Sequence, residues 1–520
     1  MTAEKKNSYL LQILSILGFL AVIGGTILIY FYSNGWRLDP FKQEFIKTGV
    51  LTVESNPSSA TIFIDGQERG RTPKSINLPI GNYSISVERD GYITWNKEIT
   101  VKEEKSTPVF PWLIKEEFTK ENLFTLEGES YINSWISDES PDRIYFLTEK
   151  LDPLTLIYRY NIYQYDVNRA FWDLSPNPKV TFTYDSPVQV DIQLDLSPNG
   201  QLAILALTTE LGTSEYLWDI QRVTTFDDMQ KLNLEIVSGY TRTWAESNDY
   251  LLFESDLDII SFNLDRQTKY LLVKKVDGKK YIWNTDNQGF FYILEDNKEN
   301  VSESVFAYNL TQLALDGSNP KVLVSDIYLQ KDVEYLSEYR EDLNRVKYIE
   351  FKNSPESTKS VSDIVSFNVN QSAKGVYIST QESSYWYNMN TQMYVIVSPY
   401  PTTFIGFSPD NKKFLFQDSM GYAIFTFEKD NGDHTVTIGT KYIKDLEDAE
   451  NIGWLSNSTN LSYTKGNILY LIDKDGDNIT KMLDISGYKY TGFNYSKDRI
   501  YAITISNIDG IFTIDSFLTH

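Results

Sequence analysis

Four aspartates stand close together near the end of the chain: Asp473, Asp475 and Asp477 in the run Asp-Lys-Asp-Gly-Asp-Asn, and Asp484 twelfth counting from Asp473. Calcium takes six to eight oxygen ligands, and carboxylates at the first, third, fifth and twelfth positions of a loop imitate that supply. The glycine stands fourth, however, where a calcium loop needs it sixth, and no helical pattern flanks the run. LYLIDKDGDNITKML reads as two strands joined by a tight Asp-Gly turn, so these four residues are a candidate only, and no metal is expected. Histidine is as scarce as metal ligands: His434 sits in an Asp-Asn-Gly-Asp-His turn and His520 is the last residue. A Ser-His-Asp hydrolase needs an imidazole held by a carboxylate beside an exposed serine, and no Gly-x-Ser-x-Gly elbow occurs. Nor is there a phosphate-binding glycine loop or a His-Glu-x-x-His helix. The absence of cysteine removes disulfides, thiolate chemistry and thiolate-bound zinc together. Ser384-Tyr385-Trp386-Tyr387 could stack on sugars, but on strands such residues pack into a core. No catalytic residue and no cofactor is therefore expected.

The elements that would carry any site divide the chain unevenly. Tyr9 to Tyr32, YLLQILSILGFLAVIGGTILIYFY, has no charge. As a helix rising about 1.5 Å per residue it reaches roughly 36 Å, enough to cross a hydrocarbon core. It lacks the short apolar region and small-x-small exit of a cleaved signal, so residues 9–32 are expected to be an uncleaved anchor. Lys5 and Lys6 in the tail 1–8 favour that tail inside the cytoplasm, with the bulk of the chain outside. The formal net charge is −23, and residues 104–520 alone carry −24. An acidic body repels phosphate backbones, which argues against nucleic acid and for cationic partners.

After a juxtamembrane linker, 33–48, the stretch 49–103 alternates apolar and polar residues in short runs broken by turns. Period-two segments of this length mean antiparallel strands. The turns fall at Asp65-Gly66, at Gly70 with Thr72-Pro73, at Pro79-Ile80-Gly81 and at Asp90-Gly91-Tyr92, and they carry the spacings Gly70-x-Thr72-Pro73, Gly81-x-Tyr83 and Gly91-Tyr92. Together with Pro57 and Ala60, this order resembles the PEGA family of small extracytoplasmic β-sandwich domains, although Ser58 and Ser59 replace the two middle letters of the namesake motif. The resemblance implies a surface protein, a contact with cell-surface material and no catalytic residues. A connector, 104–116, with Pro108 and Pro111, follows.

Beyond residue 117 a repeat takes over: an apolar residue, a turn of Ser, Asn, Asp or Pro, then a short apolar strand. The anchors are Trp135, Leu196, Trp244, Trp283, Phe367, Phe407, Trp454 and Phe493, spaced by 61, 48, 39, 84, 40, 47 and 39 residues. Spacings near 40 to 50 match one four-stranded propeller blade, and each anchor is expected to fill the wedge between neighbouring blades. Ser197-Pro198-Asn199-Gly200 and Ser408-Pro409-Asp410-Asn411 resemble the turns of TolB-type propeller repeats. Residues 117–520 thus read as a β-propeller of eight blades, with seven as the alternative. The final repeat runs out at His520 one strand short, which predicts that residues near 118 to 126 pair with the last strand and close the ring.

The expected fold is thus all-β apart from one N-terminal transmembrane helix, a small PEGA-like sandwich and then the propeller. The expected function is a non-catalytic, plasma-membrane surface protein, its sandwich a spacer or envelope-binding module and its propeller a platform for proteins or glycans. The alternative is a glycan-active propeller enzyme using two carboxylates.

Overall fold

The computed structural model describes residues 3–518 apart from short segments, the longest being 167–177, 297–306, 329–338, 353–363 and 429–437. Side chains are described from residue 15, apart from short gaps and the stretches 118–124, 325–363 and 487–520. His434 and His520 lie outside the described residues, as do the side chains of Lys5, Lys6, Tyr9 and Phe493. The chain forms two compact units, one comprising 1–117, 428–438 and 520, the other 118–427 and 439–519.

The first unit opens with a helix, Ala3–Ser33. Among the described residues no helix is long and apolar enough to cross a membrane. Two four-stranded sheets follow. One joins Trp36–Leu38, Phe45–Val53 and Lys74–Pro79, with Ser106–Val109 added parallel to Phe45–Val53. The other runs Gln67–Arg71, Thr61–Ile64, Gly81–Glu88, Trp95–Val101. Alternation decides the packing: Ile62 and Ile64, Ile85 and Val87 turn the same way as Leu51 and Val53 into one buried core. The predicted turns hold it. Asp65 (φ 48°) and Gly66 (φ 74°) make the left-handed pair that a two-residue hairpin requires. The Asp65 carboxylate also accepts the Ser84 amide at 2.9 Å. Gly91 (φ 77°) reverses the chain at the fourth turn, Gly70 (φ 113°) sits at a bulge inside the strand Gln67–Arg71 just before the second, and Gly81 opens a strand directly after the third. Thr72, just before Pro73, is buried; its hydroxyl accepts the Ala60 amide at 3.1 Å and meets the Ser55 hydroxyl at 2.5 Å.

The second unit is a succession of eight antiparallel sheets, each a meander of at least four strands. Sheets 1 to 7 span 130–186, 191–231, 241–274, 281–328, 364–398, 403–442 and 450–484. Sheet 8 consists of Tyr490–Ser496, Arg499–Ile508 and Ile511–Leu518 and is completed by Thr119–Leu126, a strand from before sheet 1. The pairing predicted for residues 118 to 126 is therefore present. Extra strands occupy the 84-residue gap: Arg345–Val346 extends the outer edge of sheet 6 and Glu350–Lys352 that of sheet 5, so among the described residues no further sheet is inserted there.

Sheets 1 to 7 pack face to face in series. One apolar cluster joins sheets 1 and 2 around Tyr145, Phe182 and Trp218; another joins 2 and 3 around Ile204 and Phe253. The series continues through sheets 3 and 4 at Phe291, 4 and 5 at Tyr308 and Tyr387, 5 and 6 at Phe414, and 6 and 7 at Leu461. A sheet that is apolar on both faces must be covered on both, and stacking in series satisfies every sheet at once. Ser384, Tyr385, Trp386 and Tyr387 are all buried in these layers, so the aromatic run is core and not a sugar platform.

All eight anchors lie on the first strand of their sheets. Their role differs from the expected wedge. Of the seven whose side chains are described, only Phe367 is fully buried; the others are half-buried and flank the clusters, as Trp135, Trp244 and Trp454 do. The physical reason is position. A first strand has a partner on one side only, so its ring covers the cluster with one face and leaves an edge open.

Candidate functional site

The turns that follow the anchors are built alike. In sheet 2 the buried Ser197 hydroxyl donates to Asn199 Oδ1 at 2.9 Å and accepts the Leu202 amide at 3.1 Å. In sheet 6 Ser408 does the same with Asp410 at 2.5 Å and with the Lys413 amide at 3.1 Å. Gly200, Asn248, Gly289, Asn411 and Ser458 each take a positive φ at the corresponding bend. The turns then bond to one another across sheets. Ser137 donates to the Pro198 carbonyl, the Asn199 amide to Asn248 Oδ1 (2.7 Å), and the Glu246 amide to Thr285 (3.2 Å). Asn370 donates to Asn411 Oδ1 (3.2 Å), and the Asp410 amide to Ser458 (2.9 Å). One end of the stack is thus a belt whose polar groups are spent on each other, which leaves them little to offer a ligand.

Because the strands are antiparallel, the hairpins joining second to third strands lie at the opposite end. Four of them share a device. The amide of Leu154 is accepted by Asp152 Oδ1 (2.8 Å), that of Leu211 by Thr209 Oγ1 (3.2 Å), that of Leu257 by Ser255 Oγ (3.1 Å) and that of Met420 by Asp418 Oδ1 (2.8 Å). In each, a polar residue caps the amide two positions on, and that position carries a large apolar side chain. Those side chains are 93%, 100%, 74% and 49% exposed. Leu156 beside Leu154 is 66% exposed and takes a φ of 58°, a conformation that costs a leucine about 1 kcal/mol or more. Sequence reading passed over these tips. Their signal was Asp-Pro-Leu, Thr-Glu-Leu, Ser-Asp-Leu and Asp-Ser-Met recurring within the larger repeat.

In the aspartate loop Asp473 and Asp484 are engaged in hydrogen bonds. Asp473 accepts Asn460 Nδ2 on one oxygen (2.7 Å) and Asn478 Nδ2 on the other (2.9 Å), while Asp484 accepts the Ser486 amide (2.9 Å). The Gly476 amide donates to the Asp473 carbonyl at 2.8 Å, and the Asp475 carbonyl accepts Lys441 Nζ at 2.7 Å. Asp473 and Asp477 are also joined through their backbones, closing the tight turn the sequence suggested. Among the described residues no group of three or more His, Cys, Asp or Glu side chains could hold a metal ion.

Carboxylates that share a neighbour are neutralised or solvated. Asp195 and Glu215 both grip Arg242, at 3.2 and 2.7 Å, so the two carboxylates share one guanidinium. Asp249 is held above the usual carboxylate range, by desolvation first and the Asp265 charge second, but it stands in an exposed turn. Glu129 accepts Tyr163 at 3.2 Å and also Thr148. Burial first, and then that carboxylate, push the Tyr163 phenol up to about 12.

No curated protein matches this chain. Among solved structures, the β-propeller domain of Cps50 (Swd1) from Myceliophteria thermophila is similar at 11% identity, covering 63% of this chain and 97% of that one, with a TM-score of 0.32. BamB from Moraxella catarrhalis is similar at 9% identity, over 76% and 97% of the two chains, with a TM-score of 0.33. Dipeptidyl peptidase 4 from Porphyromonas gingivalis is similar at 11% identity, over 75% and 58%, with a TM-score of 0.40. Residues 48–116, the strands and turns of the small sandwich, match the PEGA domain.

Proposed function

We propose that this chain is a non-catalytic surface protein, held in the plasma membrane by residues 9–32, with the PEGA domain and an eight-bladed propeller outside the cytoplasm. The PEGA match at 48–116, close behind an uncharged apolar run, carries the reading. The anchor rests on the sequence: the 24 uncharged residues from Tyr9 to Tyr32, as a helix, would rise about 36 Å against roughly 30 Å of hydrocarbon. Its described side chains Phe19, Leu20, Val22 and Ile29 are exposed, as a lipid-facing surface requires. Ring closure is supported by the strand Thr119–Leu126 on sheet 8, since a closed ring leaves no long open edge. In this reading the PEGA domain spaces the head from the membrane or grips envelope material, and the propeller presents a rigid end to a protein or glycan. Extraction of membranes at high pH tests the anchor. The full chain should stay with the lipid and a variant lacking residues 9–32 should not; release of the full chain would refute it.

A further inference from the structure

The two ends of the propeller-like unit are chemically unlike, and the fold does not require the difference. A hairpin tip needs a capped amide and a residue tolerant of the bend, which Gly or Asn supplies at no cost. Sheets 1, 2, 3 and 6 instead place Leu154, Leu211, Leu257 and Met420 there, each held by a side-chain cap that fixes the tip before anything binds. Leu156 adds a left-handed leucine to the first tip. Tips ordered in advance lose little conformational freedom on docking, so apolar contact translates into affinity with less loss. The charges around them are mostly acidic: Glu149, Asp152, Glu210, Asp256, Asp258 and Asp418 against Lys150 and Lys274, with Arg159 and Asp185 paired at 2.8 Å and Lys275 paired with Glu254 at 2.7 Å. An acidic rim repels an anionic bilayer or a second copy of itself and attracts lysine and arginine.

We propose that the capped tips of sheets 1, 2, 3 and 6 dock an amphipathic polypeptide segment of a partner, one that offers leucine-like side chains to the tips and lysine or arginine to their rim. This rests on the reading of the unit as an interaction platform and specifies which end acts and what chemistry it selects.

The test uses the full chain in zwitterionic lipid nanodiscs and, as probe, a synthetic amphipathic helix with one leucine face and one lysine face. The parent should bind the probe, more weakly as salt rises. Leu154→Ser, Leu211→Ser and Leu257→Ser should each weaken binding by roughly tenfold, because each removes one buried aliphatic side chain. The substituted positions are exposed, so thermal melts should not move and misfolding is separable from lost binding. Equal binding by the triple variant, or equal binding of polylysine to the parent, would overturn the inference. So would quenching by brominated lipid of a dye placed through Leu211→Cys, unique in a chain without cysteine, because it would make the bilayer the occupant. Concentration-dependent dimers abolished by the serine variants would do so as well, naming a second copy instead. If the parent holds no envelope material at all, the platform reading fails. If it does and the serine variants hold it equally, only the tip assignment fails.

Discussion

Ring closure by the strand before sheet 1 can be tested with a covalent bond. In the register of Thr119–Leu126 on Ile511–Leu518, Glu121 lies opposite Ser516. Directly opposed residues of an antiparallel pair have Cα atoms about 4.5 to 5.5 Å apart, inside the range a disulfide spans. Glu121→Cys with Ser516→Cys should therefore cross-link under mild oxidation, with no native thiol to interfere. Paired with Thr513→Cys, three residues out of register and thus about 10 Å away, Glu121→Cys should not. The in-register bond closes a loop of about 400 residues, for which the chain-entropy model gives about 6 kcal/mol as a ceiling. Engineered bridges commonly deliver about 2 to 4 kcal/mol. For a cooperative unit of about 400 residues, unfolding entropy near 2.1 cal/mol/K per residue converts that to a rise in Tm of about 2 to 5 °C. Tryptic digestion of the oxidised protein reads the bond, and a thermal melt with and without reductant reads its effect. Failure of the in-register pair to form, or equal formation of the control pair, would refute the closure.

Three further outcomes follow from the same geometry. Ser197→Ala removes a buried hydroxyl that serves both Asn199 and the Leu202 amide, and should cost about 2 kcal/mol by denaturant unfolding, whereas alanine at an exposed turn position should cost almost nothing. Thr72→Val strips the partner of the buried Ala60 amide and should destabilise the PEGA domain by about 1 to 3 kcal/mol, seen as earlier proteolysis within 48–116. The phenols of Tyr160 and Tyr163 are both pushed up to about 12, chiefly by burial. Between the ordinary value near 10 and about 12 the unfolded chain loses these protons and the native one keeps them, so stability should be flat below pH 10 and fall above it; Tyr163→Phe should shallow that fall.

The sequence carried the repeat because each sheet needs an apolar residue at the end of its first strand and a polar bend after it, and both are local demands. That is why Leu196 could be aligned with Trp244 although the residues differ. The half-burial of Trp135 and Trp454 was not legible, because it depends on a first strand having no inner neighbour. The belt was hidden for a related reason: Asn199 meets Asn248, and Asp410 meets Ser458, across 48 or 49 residues and only after two sheets stack. The aspartate loop shows the converse. Asp473, Asp475, Asp477 and Asp484 have calcium-like spacing, yet Asn460, 13 residues upstream of Asp473 on the neighbouring strand, takes one of its oxygens. The capped leucines were readable as Asp-x-Leu, Thr-x-Leu and Ser-x-Leu, but exposure, not pattern, marks them as unusual.

Protease applied to intact cells tests most directly the proposal that an N-terminal anchor holds the head outside the cell. With tags at both ends, the proposed topology, in which Lys5 and Lys6 favour the short tail inside, predicts loss of the C-terminal tag and survival of the N-terminal tag on a small membrane-bound stub. Survival of the C-terminal tag with loss of the N-terminal one would invert the topology and contradict the account.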